Sequence, residues 1–279
     1  MSRSNKPHGL LLVGHGTRDR QGRNEFFRTA ELVALRAPDA LVEPSFLELA
    51  SPTITQGVKR LADQGAADLT VVPLLLFSAG HAKQDIPAAV QQAIKGTAFT
   101  EFVCARHLGC HPSVQELSHR RCQQVLSDLD GASLDGTSRD GASLDGASLD
   151  GARPEESLLL LVGRGSKDKD ATAEMVRFAE LRSVASVFHQ TRVAFLALAR
   201  PSLDELLEEI PALTVQRVVV QPHLLFHGEL LTVLQQRIEQ LAGRLNDQQW
   251  VVTPHLGPSN LLVEAILDRC LQALSGQGF

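Results

Sequence analysis

The chain has 279 residues, 43% of them hydrophobic and 21% charged, with a formal net charge of −5, so it can bury a sizeable core and offers no electrostatic footprint for nucleic acid. With 11 Phe, 1 Trp and no Tyr it lacks aromatic platforms for stacking bases or sugars. No apolar run approaches the roughly 18–20 residues that span a bilayer, the apolar stretch Leu10–Val13 is too short for a signal peptide, and Cys104, Cys110, Cys122 and Cys270 form no CxxC pair, so a soluble, cytoplasmic protein is expected.

The first apolar run, Gly9–Val13, leads into Gly14-His15-Gly16 and predicts a strand followed by a loop. Further apolar runs follow at Val42–Leu49, Leu69–Leu76 and Phe99–Cys104, with helical patterns at about 22–36, 53–65, 84–95 and 112–127. Short Val- and Leu-rich strands alternating with helices predict a parallel sheet covered on both faces through right-handed crossovers. Then comes DGASLDGTSRDGASLDGASLDGA, Asp130–Ala152, a repeat of Asp-Gly-x-Ser-x. It has too little apolar content to bury and too many glycines for a helix, and it reads as a flexible tether.

Beyond the tether the chain repeats itself. Gly14-His15-Gly16 matches Gly163-Arg164-Gly165 at an offset of 149, and the same offset lays Phe46–Pro52 over Phe195–Pro201 and Phe77 over Phe226. One residue is then lost, and His107-Leu108-Gly109 meets His255-Leu256-Gly257 at an offset of 148. The expected fold class is α/β. Two similar domains, 1–127 and 155–279, are joined by a linker over 128–154, and each is a mostly parallel four-stranded sheet with helices on both faces. They are expected to face each other across a cleft.

Functional groups of such sheets collect at the carboxyl ends of the strands. His15 follows the first strand, Glu48 lies near the end of the second, and His81 follows the third, at successive spacings of 33 residues. Two imidazoles and a carboxylate suit Fe²⁺, Co²⁺, Ni²⁺ or Zn²⁺, although loop histidines that cap or hydrogen-bond have the same spacing. In the second copy His15 becomes Arg164, Glu48 becomes Ala197 and His81 becomes Glu229, while the surrounding Gly, Phe, Leu and Pro stay. The reading is a doubled scaffold with metal chemistry kept in one half; drift at exposed loops is the alternative. CARHLGCH, Cys104–His111, fits no common zinc spacing, and the second copy keeps only its His-Leu-Gly, so His107 and His255 read as a repeated strand-end turn. Gly163-x-Gly165 lacks the other glycines of a dinucleotide fingerprint.

GHGTRD, the FLELASP segment and VVPLLLFSAGHAKQDIP, with GRGSKDKDA, LLFHGELL and PHLGPS in the second half, resemble the class II tetrapyrrole chelatases, specifically the long, duplicated sirohydrochlorin chelatases of the CbiX/SirB type. The resemblance implies that His15 and His81 are the catalytic, metal-binding pair, with Glu48 as a further metal ligand. It implies insertion of Co²⁺ or Fe²⁺ into sirohydrochlorin, toward cobalamin or siroheme, with the metal as substrate and no permanently bound cofactor. For that multi-carboxylate substrate Arg18, Lys83 and Arg164 are candidate contacts, with Arg20, Arg23 and Lys167 nearby; a solvated basic rim explains the same residues. A monomer is expected, with no nucleic-acid or membrane partner. The rival from another class is a non-catalytic metal carrier, or metallochaperone, using the same His15/Glu48/His81 cluster.

Overall fold

The structure, a computed structural model, describes residues 6–77, 80–134, 156–184, 188–245 and 247–277. The first half runs β1 (His8–Gly14), α1 (Arg20–Arg36), β2 (Ala40–Phe46), α2 (Ile54–Asp63), β3 (Leu69–Pro73), α3 (Gly80–Ala93), β4 (Val103–Cys104) and α4 (Pro112–Leu134). The second half repeats the series as β5 (Ser157–Gly163), α5 (Lys169–Val184), β6 (Gln190–Phe195), α6 (Leu203–Glu209), β7 (Arg217–Pro222), α7 (Glu229–Ala242), β8 (Gln249–Val252) and α8 (Asn260–Gln272).

Each half builds one four-stranded parallel sheet, ordered β2-β1-β3-β4 and β6-β5-β7-β8. The duplication extends to register. Gly9 pairs with Leu41 and Leu69, and its counterpart Leu158 pairs with Gln190 and Val218. Local signals repeat too: Thr53 and Gln56 form a capping box at the start of α2, and Ser202 and Glu205 form the matching one at α6.

The central strands are unbroken apolar runs because both of their faces are covered. Leu11 and Val13 enter an outer core with Val58 and Leu61 of α2 and Ile86 and Val90 of α3. Leu158, Leu160 and Val162 do the same with Leu203 and Leu206 of α6 and Leu234 and Ile238 of α7. The alternate residues Leu10 and Leu12 of β1 and Leu159 and Leu161 of β5 all enter a single inner core, which also holds Phe26, Val114, Phe178 and Ile266 from α1, α4, α5 and α8. The two halves therefore share one interior. A buried polar tie crosses it: the Arg182 guanidinium of α5 donates to Ser118 Oγ of α4 at 3.0 Å, and Gln221 of β7 donates to the Ser118 carbonyl at 2.8 Å.

Among the boundaries that differ from the sequence expectation, three bear on the site or the tether. β3 stops at Pro73 rather than Leu76, because the carbonyls of Leu75 and Leu76 accept from Leu108 and Gly109 of the loop before α4 and not from a strand. α3 starts at Gly80, so His81 stands in its first helical turn and not in a loop. α4 continues to Leu134, past the expected end at 127 and through the first Asp-Gly of the tether. The rest of the tether lies outside the described residues.

Candidate metal centre and inter-domain cavity

The loop after β1 and the loop after β2 stay zipped beyond their strands. Leu47 N–H donates to the Gly14 carbonyl at 2.9 Å and Glu48 N–H to the His15 carbonyl at 3.0 Å. This places the two side chains together, with His15 Nε2 3.5 Å from Glu48 Oε1 and side-chain exposures of 41% and 55%. The approach needs Gly16, whose φ is +108° and whose Cβ, if it had one, would lie 1.8 Å from the Glu48 carbonyl oxygen. Directly after Glu48 the chain makes a γ-turn: Leu49 has φ +61° and the Ala50 N–H donates to the Glu48 carbonyl at 2.7 Å. Such positive-φ γ-turns are rare and strained, and this one fixes the direction of the Glu48 backbone.

β1 lies between β2 and β3, so the segments carrying His15, Glu48 and His81 leave three adjacent strands at one edge of the sheet. The side chain of His81 is outside the described residues; among those described, His15 and Glu48 are the members brought together, and no group of three His, Cys, Asp or Glu gathers.

The second half keeps the mount and lacks the ligands. Ala197 N–H donates to the Arg164 carbonyl at 2.9 Å, Leu198 has φ +61° with Ala199 N–H on the Ala197 carbonyl at 2.8 Å, and a Cβ on Gly165 would lie 1.8 Å from the Ala197 oxygen. Arg164 and Glu229 are exposed at the positions of His15 and His81.

Both strand-end edges open on one cavity of about 980 Å³, at the upper end of the roughly 300–1,000 Å³ usual for small-molecule sites. His15 and Thr17 line it from the first half, Arg164 and Lys167 from the second, over walls of Phe46, Leu74, Phe195 and Leu225. Of the expected substrate contacts, Arg164 faces this space. Arg18 is exposed and is not part of its wall. Lys83 is engaged: its ammonium donates to Asp170 at 3.1 Å and lies 3.9 Å from Asp168, both on the second half, and the hydrogen bond it gives Asp170 raises its pKa.

Histidine–carboxylate pairs join the two halves. His107 Nε2 donates to Glu174 at 2.7 Å and His255 Nε2 to Glu25 at 2.9 Å, each across the two halves. Glu25 also accepts from the His227 backbone N–H at 2.7 Å, and His227 Nδ1 lies 3.0 Å from Asp19. Asp19 caps α1 by accepting from Gly22 N–H at 2.7 Å, and this bond, with the His227 contact, lowers its pKa. The His-Leu-Gly turns thus act as clasps. Sequence reading found the repeated turn and missed its partners, although Glu25 and Glu174 stand at the same 149-residue offset. Burial pushes the thiols of Cys104 and Cys110 up to about 11, which keeps them protonated. His223, at the end of β7, is buried beside the cavity, and burial holds its pKa at about 3.

The comparisons with known proteins fit this architecture. A sirohydrochlorin ferrochelatase of Priestia megaterium is 29% identical over 269 residues, covering 96% of this chain and 91% of its own length. A sirohydrochlorin cobaltochelatase of the same organism is 28% identical over 271 residues, covering 96% and 80%. The fold matches that of SirB from Bacillus subtilis with Fe3+ at a TM-score of 0.80 and 24% identity, over 98% of both chains. The CbiX family model matches residues 9–125 and then again 158–273, and with both halves so matched the chain belongs to the CbiX family.

Proposed function

We propose that this protein inserts a divalent metal ion, Co²⁺ or Fe²⁺, into sirohydrochlorin. The observation that carries the reading is the asymmetric cavity: His15, 3.5 Å from Glu48, lines one side of a space of about 980 Å³, and Arg164, which takes the place of His15, lines the other. Metallation breaks two pyrrole-type N–H bonds, forms four metal–nitrogen bonds and releases two protons. In this reading His15, Glu48 and His81 hold the incoming ion, and neutral imidazoles accept the departing protons and pass them to water near pH 7. Three protein ligands leave positions open for transfer, and the metal leaves with the product.

Arg164 and Lys167 meet substrate carboxylates at the rim. Lys83, already bonded to Asp170, serves the site by joining the two halves, and Arg18 reaches substrate from outside the wall. The protein acts as a cytoplasmic monomer, because its second half supplies the wall that another copy would otherwise provide; residues 128–154 link domains 1–127 and 155–279.

A metal carrier would need the ligands and not the cavity. An anaerobic assay of the purified protein with sirohydrochlorin and either Co²⁺ or Fe²⁺, followed by absorbance, separates the two. Metal binding without any change in the tetrapyrrole spectrum would leave the carrier.

A further inference from the structure

A second recess adjoins the inter-domain cavity on the second half. It encloses about 430 Å³ and shares Ser166, Lys167, Thr172 and Leu198 with the cavity wall. Lys169, Thr172, Ala173 and Val176 line it from one face of α5, at helical spacing. Leu198 and Arg200 line it from the γ-turn loop after β6.

Small side chains on α5 open this space. The first copy has Arg23, Asn24 and Phe27 where the second has Thr172, Ala173 and Val176, and Ser51 where it has Arg200. Phe27 packs against the inner core, whereas Val176 is 42% exposed. The repeated scaffold therefore does not require the recess.

Its charge is one-sided. Lys167, Lys169 and Arg200 line it, and no acidic residue does among the described residues. The neighbouring acids are engaged elsewhere: Asp170 bonds Lys83 and Glu174 bonds His107, both of the first half. Arg200 pairs with Glu205 of α6. Lys167 and Lys169 are exposed and enter no ion pair among the described residues. Such a cleft concentrates anions.

A space less than half the volume of the cavity beside it takes the arms of a tetrapyrrole and not its ring. On the proposed reading of the cavity as a sirohydrochlorin site, we infer that this recess is a carboxylate subsite. It receives acid-bearing arms of the substrate that reach past Leu198 while the macrocycle lies in the cavity. Lys167, which lines both spaces, and Lys169 hold the arms by charge, and Arg200 is shared between them and Glu205. The subsite selects tetrapyrroles that carry acid groups on that edge of the ring.

The test titrates metal-free protein with sirohydrochlorin at low and moderate salt, followed by absorbance, with thermal unfolding of every variant. Lys169→Gln should weaken binding about twofold to fivefold, as for an exposed ion pair, and Lys169→Gln/Arg200→Gln about tenfold, with a shallower salt dependence. Val176→Phe, the residue of the first copy, blocks the recess without changing charge and should weaken binding about as much as the double variant. Lys95→Gln, which removes one charge beyond the far end of α3, should bind like the wild type. Co²⁺ affinity in calorimetry should be unchanged throughout. Equal losses for Lys169→Gln and Lys95→Gln, unchanged binding in Val176→Phe or the double variant, or a parallel loss of Co²⁺ affinity would overturn the inference. Failure of the wild type to bind sirohydrochlorin would instead overturn the function on which it rests.

Discussion

Gly16→Ala and Gly165→Ala form a matched pair, because the same backbone clash is introduced once beside the candidate metal ligands and once beside their vacant copy. At each site the new Cβ starts 1.8 Å from a carbonyl oxygen, that of Glu48 or of Ala197, and must move beyond 3.0 Å. A residue other than glycine at φ of +108° or +87° costs about 1–2 kcal/mol, and forcing apart packed backbone adds about 1–3 kcal/mol. Each variant should therefore lose about 2–5 kcal/mol, and at about 2–4 °C per kcal/mol its Tm should fall by roughly 4–20 °C in circular dichroism. The metal result should split them. Opening the Gly16 contact displaces Glu48 from His15, so Gly16→Ala should lose about 10–100-fold in Co²⁺ affinity by titration calorimetry, while Gly165→Ala binds Co²⁺ like the wild type. Equal losses of metal affinity, or a neutral Gly16→Ala, would refute the argument that this glycine sets the ligand geometry.

His15→Ala and His81→Ala should each nearly abolish metal insertion while leaving the circular dichroism spectrum intact, and His255→Ala should do much less; equal losses would mean that both halves share the chemistry. Arg164→Ala should raise KM for the tetrapyrrole about tenfold to a hundredfold, since a charge-assisted contact contributes about 1.5–3 kcal/mol, and should largely spare kcat and the response to metal concentration in steady-state kinetics. Because burial lowers the folded-state pKa of His223 to about 3 from 6.5, the unfolded chain takes up a proton that the folded one refuses below pH 6.5. Stability should thus fall with pH by about 1.4 kcal/mol per unit from this residue, and urea unfolding at pH 5 should show His223→Leu losing about 2 kcal/mol less than the wild type relative to pH 7.5. Replacing Asp130–Ala152 by a Gly/Ser linker of equal length should leave metallation unchanged in the absorbance assay.

The duplication was legible because both halves keep the residues that their backbones require: Gly16 and Gly165 under a carbonyl, Pro52 and Pro201 after the γ-turn. The strands were legible because runs such as Leu10–Val13 are buried on both faces. Phe99 misled the reading of β4, since it is buried in the outer core yet stands outside the ladder, which holds only Val103 and Cys104. Lys83 reads as a substrate cation until the second half brings Asp170 to it. His107–Glu174 and His255–Glu25 were hidden for the same reason: each pairs residues far apart in sequence, and a clasp follows from the arrangement of the halves, which no local pattern encodes. The packing of His223 against Phe77 and Phe178 is equally non-local.

The inner core described above also bears on how such a chain can change over time. Side chains at 164, 197 and 229 are exposed and lie outside that core, so substitution there leaves the packed interior untouched. The inner face of the second copy has no such freedom. Leu159, Leu161, Phe178 and Ile266 are interior to the first half as much as to their own, and deleting the second copy would leave Leu108, Val114 and Leu117 bare. A duplicate that has merged its interior with the original can shed its chemistry and can no longer be discarded, which makes the gene's doubling one-way.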